Sequence, residues 1–244
     1  MDLIIDLGNT NQKLAIFREG ELLEVMQFPQ IGLKLIREAT RQNKAISHCI
    51  LSSVVAYQDS MINYLAARFR FFLLDENTPL PIKNCYQTKI TLGKDRLAAA
   101  VAGNHYYPGQ NVLVVNAGTC ITYDFVNAEG EYLGGGISPG IVMRFKALHT
   151  FTGKLPLIDF IEEDNLTGND TARSILSGVL NGTLAEIEGV TARYSEIYPN
   201  LKIIISGGDV NYFDKRLKIS TFAVPNIVIH GLQQILAFNV IKAS

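Results

Sequence analysis

The stretch DLGNTNQKLAIF, residues 6–17, decides how the fold is interpreted. An acidic residue, Asp6, ends an apolar run; a turn of small residues containing Gly8 follows, and Lys13 begins a second apolar run. Glycine in such a turn lets backbone N–H groups approach an anion closely, and a lysine supplies a point charge for phosphate. The stretch therefore predicts a phosphate-binding hairpin between two strands.

The same pattern returns about half a chain later. Asn116-Ala117-Gly118-Thr119 follows a buried apolar run as Asp6-Leu7-Gly8 does, and a third glycine turn, Ser206-Gly207-Gly208-Asp209, follows another. Repeats at this spacing indicate duplicated structural units, and strands that alternate with helices indicate α/β architecture. We expect two related lobes, residues 1–110 and 111–244.

Composition narrows the class of partner. The chain has 22 basic and 23 acidic residues, and the sequence shows no basic cluster, so we expect neither nucleic acid nor membrane as partner but a small molecule. Cys49, Cys85 and Cys120 lack metal-ligand spacing, which is typical of reduced thiols in a cytoplasm. No signal peptide and no apolar run of about 18 residues is evident, so a cytoplasmic protein is expected.

The acidic residue of the first turn needs a role of its own. Asp6 cannot bind phosphate, because two anions would face each other, whereas it can hold Mg²⁺ that neutralises phosphates. Each glycine turn alone is more often a plain hairpin. The three turns together favour a phosphate clamp between two lobes.

Further motifs carry a resemblance to a known family. Asp6–Lys13, Gly93-Lys94-Asp95-Arg96, Leu133–Gly140 and Leu155-Pro156 together resemble the motifs of type III pantothenate kinases, in the acetate and sugar kinase/actin superfamily. The resemblance covers nearly the whole chain. It implies two ribonuclease-H-like lobes with mixed sheets and an inter-lobe cleft. It also implies ATP-dependent phosphorylation of pantothenate to 4'-phosphopantothenate, the first step of coenzyme A biosynthesis, by a homodimer whose substrate site is completed near the dimer interface.

The resemblance assigns roles residue by residue. Asp95 matches the base that takes the proton from the pantothenate hydroxyl, and Asp6 the residue that holds Mg²⁺. The positions that match substrate contacts are Tyr86, Gly93, Lys94, Asp95, Arg96 and Thr171. The positions that match nucleotide contacts are Asp6, Leu7, Gly8, Asn9, Thr10, Asn11, Gln12, Lys13 and Thr119.

One position departs from the family pattern. Asn116 stands where the family usually has an aspartate implicated in binding a monovalent cation, K⁺ or NH₄⁺. Asparagine keeps a carbonyl ligand but lacks the charge, so we expect weaker dependence on K⁺, unless a neighbour such as Asp124 supplies the charge.

Other interpretations stay open at this point. Without the resemblance, Asp95 and Arg96 would be a helix-capping aspartate and its solvated neighbour. A nucleotide-binding regulatory protein without transfer activity is one alternative function. A phosphohydrolase in which Asp95 activates water is the other.

Overall fold

A computed structural model describes residues 1–162 and 165–242 of the chain. Residues 163–164 and 243–244 lie outside the described residues, and all four belong to the predicted C-terminal lobe. The chain divides into two compact units. One comprises residues 1–105 together with the segment from Val228 onward, and the other comprises Tyr106–Ile227. No helix of the described residues is long and apolar enough to cross a membrane.

A five-stranded mixed sheet forms the centre of the first unit, in the order β3-β2-β1-β4-β5. β1 pairs antiparallel with β2 and parallel with β4, so the carboxyl ends of β1 and β4 lie at the same edge. The elements up to the unit boundary are β1 (Asp2–Leu7), β2 (Gln12–Arg18), β3 (Glu21–Phe28), α1 (Leu33–Gln42), β4 (His48–Ser53), α2 (Asp59–Arg68), β5 (Arg70–Leu73), β6 (Lys83–Asn84), a 3₁₀ turn (Lys89–Thr91) and α3 (Lys94–Tyr106).

The second unit repeats this topology. Its strands follow the order β9-β8-β7-β10-β11, in which β7 pairs antiparallel with β8 and parallel with β10, as β1 pairs with β2 and β4. The repeat predicted from the two glycine turns therefore extends to the whole strand order. The elements are β7 (Val112–Ala117), β8 (Cys120–Val126), β9 (Glu131–Pro139), α4 (Ile141–Thr150), α5 (Thr171–Ile197), β10 (Lys202–Ser206), α6 (Val210–Asp214), β11 (Phe222–Ala223) and α7 (Ile227–Lys242).

Each unit has its own hydrophobic core against one sheet face. In the first unit, alternate residues of β1 and β2 pack with Ile36 of α1 and Leu65 of α2, all fully buried or nearly so. In the second unit, alternate residues of β7 and β8 pack with Phe145 of α4 and Leu180 of α5. The residues between them are mostly buried as well, so the central strands are covered on both faces, as strands of mixed α/β sheets commonly are.

Two features differ from the sequence pattern. The predicted division placed residues after 110 together in one lobe, whereas α7 packs with the first unit from Val228 onward. A Cβ on Gly231 would lie 1.8 Å from the Ala98 carbonyl oxygen, so α7 approaches α3 at backbone distance. Helix α5 also continues through Gly178, Gly182 and Gly189 to Ile197, although each glycine costs about 1 kcal/mol relative to alanine.

Candidate active site

The strand register determines which side chains surround Asp6. Asp6 pairs with Lys13 on antiparallel β2 and with Ser52 on parallel β4. All three therefore lie at the carboxyl-terminal edge of the first sheet, where open α/β sheets bind ligands. The structure brings the predicted pair of Asp6 and Lys13 together, and Ser52, for which no role was predicted, lies beside them.

The electrostatics around Asp6 are unusual for a carboxylate. The pKa of Asp6 is raised from 3.8 to about 6, chiefly by burial and also by the charge of Asp95, while Lys13 and Ser52 act in the opposite direction. Burial also lowers the pKa of Lys13, which Asp6 counteracts. Perturbation by both desolvation and a like charge marks a candidate functional site. It also shows that Asp95 lies close to Asp6, although 89 positions separate them in sequence (95 − 6).

The turn after β1 is so tight that it requires a glycine at position 8. A Cβ on Gly8 would lie 2.6 Å from the Asn11 carbonyl oxygen, so no larger residue fits without moving the backbone. Asn9, Thr10 and Asn11 are exposed at the tip. Their backbone and side chains are therefore accessible to an anion.

Two residues of this motif face the core instead. Leu7 is buried, and the buried side chain of Gln12 accepts a hydrogen bond from the Ile31 N–H. Any contact of Leu7 with a nucleotide must come from its backbone. The Gln12 side chain anchors the segment after β3.

The Gly93–Arg96 motif forms the start of α3. Asp95 is in the first turn of the helix, and Leu97 N–H donates to the Gly93 carbonyl at 3.1 Å. A Cβ on Gly93 would lie 2.5 Å from Asp95 Oδ1, so glycine at this position leaves room for the carboxylate. This explains why a glycine stands two positions before the acidic residue of the motif.

Arg96 and Tyr86 lie together in the same unit. Arg96 is 6% exposed, and its guanidinium carbon lies 5.7 Å from the centroid of the Tyr86 ring. A guanidinium over an aromatic face gains a cation–π interaction, and its planar fork of donors is suited to a planar anion. The structure thus brings together two of the predicted substrate contacts.

In the second unit, three small-residue segments converge. Gly140 N–H donates to the Thr119 carbonyl at 3.1 Å, and a Cβ on Gly140 would lie 2.0 Å from the Gly118 carbonyl oxygen. Gly207, with φ +104°, is in the left-handed region, and a Cβ there would lie 1.9 Å from the Ala117 carbonyl oxygen. The second and third glycine turns of the sequence therefore form one backbone cluster, and Thr119 is exposed beside it.

Asn116 occupies the position that Asp6 occupies in the first unit. It pairs with Thr122 on β8 and with Ser206 on β10, as Asp6 pairs with Lys13 and Ser52. The Thr122 hydroxyl donates to Asp124 Oδ2 at 2.9 Å, and the Tyr132 hydroxyl donates to Oδ1 at 2.8 Å. Asp124 is fully buried, and its cross-strand pair with Val114 lies two pairs away from the pair of Asn116 and Thr122.

A polar network that the sequence analysis missed supports this cluster. Arg144 of α4 donates to the Pro139 carbonyl at 2.8 Å and to the Ser138 hydroxyl at 2.9 Å, and it pairs with Glu186 of α5. The Tyr123 hydroxyl donates to the other oxygen of Glu186 at 3.0 Å. The network holds the segment immediately before Gly140. Arg144 and Glu186 are 42 positions apart, so no local sequence pattern indicates that they pair.

Thr171 is the first residue of α5, as expected, and is exposed. Its helix is capped by Asp170, which accepts from the Arg173 N–H at 2.8 Å. Thr171 lines a cavity of about 890 Å³ together with Leu155 and with residues of α4 and α5. The structure thus places Thr171 in the second unit, whereas Tyr86 and Arg96 belong to the first.

The residues around Asp6 fit a divalent cation. No cluster of three or more histidine, cysteine, aspartate or glutamate side chains suited to a metal exists among the described residues. Asp6 and Asp95 are instead two neighbouring carboxylates whose mutual repulsion a cation would relieve. Mg²⁺ in phosphoryl-transfer sites is held by one or two carboxylates and by substrate phosphates, so two are sufficient.

Comparison with known proteins places this geometry in a family. The sequence profile described as type III pantothenate kinase matches residues 2–193. A type III pantothenate kinase of Christiangramia forsetii is 43% identical over 240 residues, which cover 98% of this chain and 99% of the relative.

Two solved structures are similar in fold. A Baf family protein from Campylobacter jejuni is 20% identical with a TM-score of 0.58, and 98% of each chain is covered. An inorganic polyphosphate/ATP-glucomannokinase from Arthrobacter sp. strain KM is 17% identical with a TM-score of 0.53, over 98% of this chain and all of the other. The prediction of two duplicated ribonuclease-H-like lobes is confirmed. The chain belongs to the type III pantothenate kinase family and is a kinase.

Proposed function

We propose that this protein transfers the γ-phosphoryl group of ATP to the hydroxyl of pantothenate, the first step of coenzyme A biosynthesis, with Asp95 as the base. The observation that carries the proposal is the electrostatic coupling of Asp6 and Asp95 beside Lys13 at one sheet edge. Phosphoryl transfer needs a carboxylate that orients the nucleophile and cations that spread the developing charge. These residues supply both.

The chemistry of the step follows from these roles. Asp95 accepts the proton of the pantothenate hydroxyl while the hydroxyl oxygen forms its bond to the γ-phosphorus. The bond from that phosphorus to the β,γ-bridging oxygen breaks, and ADP leaves. Lys13 and the N–H groups of residues 8–11 bind the phosphate oxygens, and in the second unit Thr119 contacts the nucleotide.

Asp6 is the residue proposed to hold Mg²⁺. Bound there, the ion would neutralise phosphate charge, which is the chemistry it supplies in kinases. An ionised Asp6 is needed for this role, and a positive charge beside it would lower its raised pKa and so favour ionisation.

Arg96 is the residue proposed to bind the pantothenate carboxylate. A planar guanidinium can donate two parallel hydrogen bonds to a carboxylate, and the Tyr86 ring restricts its orientation. Gly93 and Lys94 complete this part of the substrate site in the first unit. Thr171 contributes a further substrate contact from the second unit.

Asn116 is proposed to bind K⁺ or NH₄⁺ weakly or not at all. The buried Asp124 carboxylate accepts hydrogen bonds from two hydroxyls and lies two cross-strand pairs from Asn116, so it does not stand in the place of the missing charge. We therefore expect activity to change little when K⁺ is exchanged for Na⁺. Complete loss of activity without K⁺ would contradict this.

A homodimer is the proposed assembly. Several large apolar side chains in the second unit are strongly exposed, including Phe151 at 86%, Leu166 at 79% and Ile161 at 62%. Burial of these side chains against a second copy of the chain would remove apolar surface from water and favour association. Sedimentation equilibrium of the wild type and of Phe151→Ser tests the assembly, and a wild-type monomer would exclude it.

The free thiols of Cys49, Cys85 and Cys120 fit the proposed location in a reducing cytoplasm.

A coupled ADP-release assay with Mg²⁺-ATP tests the function. We expect ADP only when pantothenate is present, and a 10²–10⁴-fold lower kcat for Asp95→Asn with ATP binding retained. Equal release of ADP with and without pantothenate would instead indicate a phosphohydrolase. ATP binding without turnover under all conditions would indicate a regulatory protein.

A further inference from the structure

A cationic cavity lies in the first unit, away from the residues discussed so far. It has a volume of about 650 Å³ and is formed by α1, α2 and the segments that follow them. The residues that line it are Arg37, Thr40, Arg41, Asn43, Lys44, Ile46, Tyr64, Arg68 and Phe69. Four of these are cationic and none is acidic. The sequence showed no basic cluster, because folding of two helices is what brings Arg68 to the other three.

The four cationic residues are not held by ion pairs in the part of the chain that the structure describes. None of Arg37, Arg41, Lys44 and Arg68 forms an ion pair with a described carboxylate. Arg37 and Arg41 are also one helical turn apart, a spacing at which like charges destabilise a helix. Arg41 and Arg68 each lie in the last turn of a helix, where the helix dipole favours a cation. That effect does not account for Arg37 or Lys44.

Tyr64 organises two of the arginines. The guanidinium carbons of Arg37 and Arg68 lie 5.3 Å and 4.8 Å from the centroid of its ring. The ring is itself fixed, because the Tyr64 hydroxyl is 2.8 Å from the Thr40 hydroxyl, which donates to the Ile36 carbonyl at 2.9 Å. Two arginines from different helices are therefore held in place by one aromatic side chain.

The position of the cavity separates it from the nucleotide and substrate residues. Ile46 precedes β4 and Phe69 precedes β5, so the cavity lies at the amino-terminal edge of the parallel strands. Asp6 and Ser52 lie at the opposite edge. β4 has six residues, so roughly 20 Å of extended strand separates the two edges.

We propose that this cavity is a second binding site, for a small molecule that carries a diphosphate group. Its volume is in the range of small-molecule sites, about 300–1,000 Å³. Three arginine forks and one ammonium offer more donors than a single phosphate uses, and guanidinium groups bind phosphate oxygens in pairs. Ile46 and Phe69 provide an apolar wall for the organic part of such a molecule. Bound ligand would bridge α1 and α2, which makes the site suited to regulation.

Binding of inorganic pyrophosphate tests the proposal. The measurement uses isothermal titration calorimetry without Mg²⁺, on Lys13→Ala protein, so that the proposed nucleotide phosphate site does not contribute. We expect one pyrophosphate per chain, weakened at least about tenfold in Arg37→Gln/Arg68→Gln. Lys34→Gln is the matched control, since Lys34 is an exposed cation of α1 that does not line the cavity. Lys34→Gln in the Lys13→Ala protein should bind pyrophosphate as tightly as Lys13→Ala protein without it.

Further variants keep the result interpretable. Arg37→Lys/Arg68→Lys retains the charges without the planar guanidinium groups. Its affinity for pyrophosphate should therefore lie between that of Lys13→Ala protein and that of Arg37→Gln/Arg68→Gln. No binding to Lys13→Ala protein, or equal binding by Arg37→Gln/Arg68→Gln, would overturn the proposal. Orthophosphate as strong a ligand as pyrophosphate would exclude a diphosphate. An oligonucleotide that binds through the same arginines while pyrophosphate does not would replace the small-molecule site with a nucleic-acid surface.

Discussion

The ion pair between Arg144 and Glu186 gives the sharpest test of how the second unit is held together. Glu186→Gln keeps the size of the side chain but removes its charge and turns one acceptor into a donor facing Arg144. A hydrogen bond between charged groups contributes about 1.5–3 kcal/mol, and water screens part of this because the two side chains are 22% and 26% exposed. We expect the free energy of unfolding to fall by about 1–2 kcal/mol at pH 7.

The pH dependence of this loss has a defined sign. Burial alone would raise the pKa of Glu186, but hydrogen bonds from Arg144, Ser138 and Tyr123 outweigh it and lower the pKa below its ordinary value of 4.5. A carboxyl with a lowered folded-state pKa stabilises above its unfolded pKa and loses this contribution as pH falls through the folded value. The difference between wild type and Glu186→Gln should be constant from about pH 6 to 8 and shrink below about 4.5.

Urea unfolding across this pH range measures the difference directly. Glu196→Gln is the control, because Glu196 is an exposed carboxylate of the same helix, and its substitution should change stability by less than about 0.5 kcal/mol. Because Arg144 also holds Ser138 and Pro139 before Gly140, we expect the KM for ATP to rise. A stability loss equal to that of the control, or one that persists unchanged at pH 4, would refute the reasoning.

Three other predictions follow from the geometry. Gly140→Ala should cost at least about 1–3 kcal/mol of unfolding free energy, because its Cβ would meet backbone oxygens, whereas Gly153→Ala, with open space around it, should cost little; thermal unfolding compares them. Arg96→Lys should raise the KM for pantothenate about tenfold or more with little change in kcat, because it loses the planar fork; equal effects on both constants would argue against a carboxylate contact. Ligand-free protein should bind Mg²⁺ less well below pH 6 than above it, because protonation of Asp6, with its pKa of about 6, removes the negative charge; a flat profile from pH 5 to 8 in calorimetry would exclude Asp6 as the ligand.

The parts of the fold that local sequence encodes were predictable. Strand, glycine turn and strand are adjacent in the chain, so the pattern around Gly8 and its repeat around Gly118 predicted two hairpins, and the strand register confirms that Asp6 and Asn116 are equivalent. The closeness of Asp95 to Asp6 rested on the family resemblance. Nothing within either segment indicates it.

The parts that depend on distant contacts were not predictable. Tyr123 and Glu186 are 63 positions apart, and each looks like an ordinary residue of a strand or helix. Arg37 and Arg68 are common surface residues until two helices place them on one tyrosine ring. Pairing of this kind is decided by packing of whole elements, which propensity and periodicity do not describe.

The discontinuous first unit has a consequence for how the protein is made. The unit that contains Asp6 and Asp95 also needs α7, whose Gly231 packs at backbone distance on Ala98 of α3. Because domains fold during synthesis as their residues emerge, the intervening second unit is complete in the nascent chain before the first one is. The two carboxylates therefore acquire their final surroundings only when the last helix leaves the ribosome. A chain released early, without α7, would contain every residue proposed to act on ATP and pantothenate and still lack the finished unit that positions them.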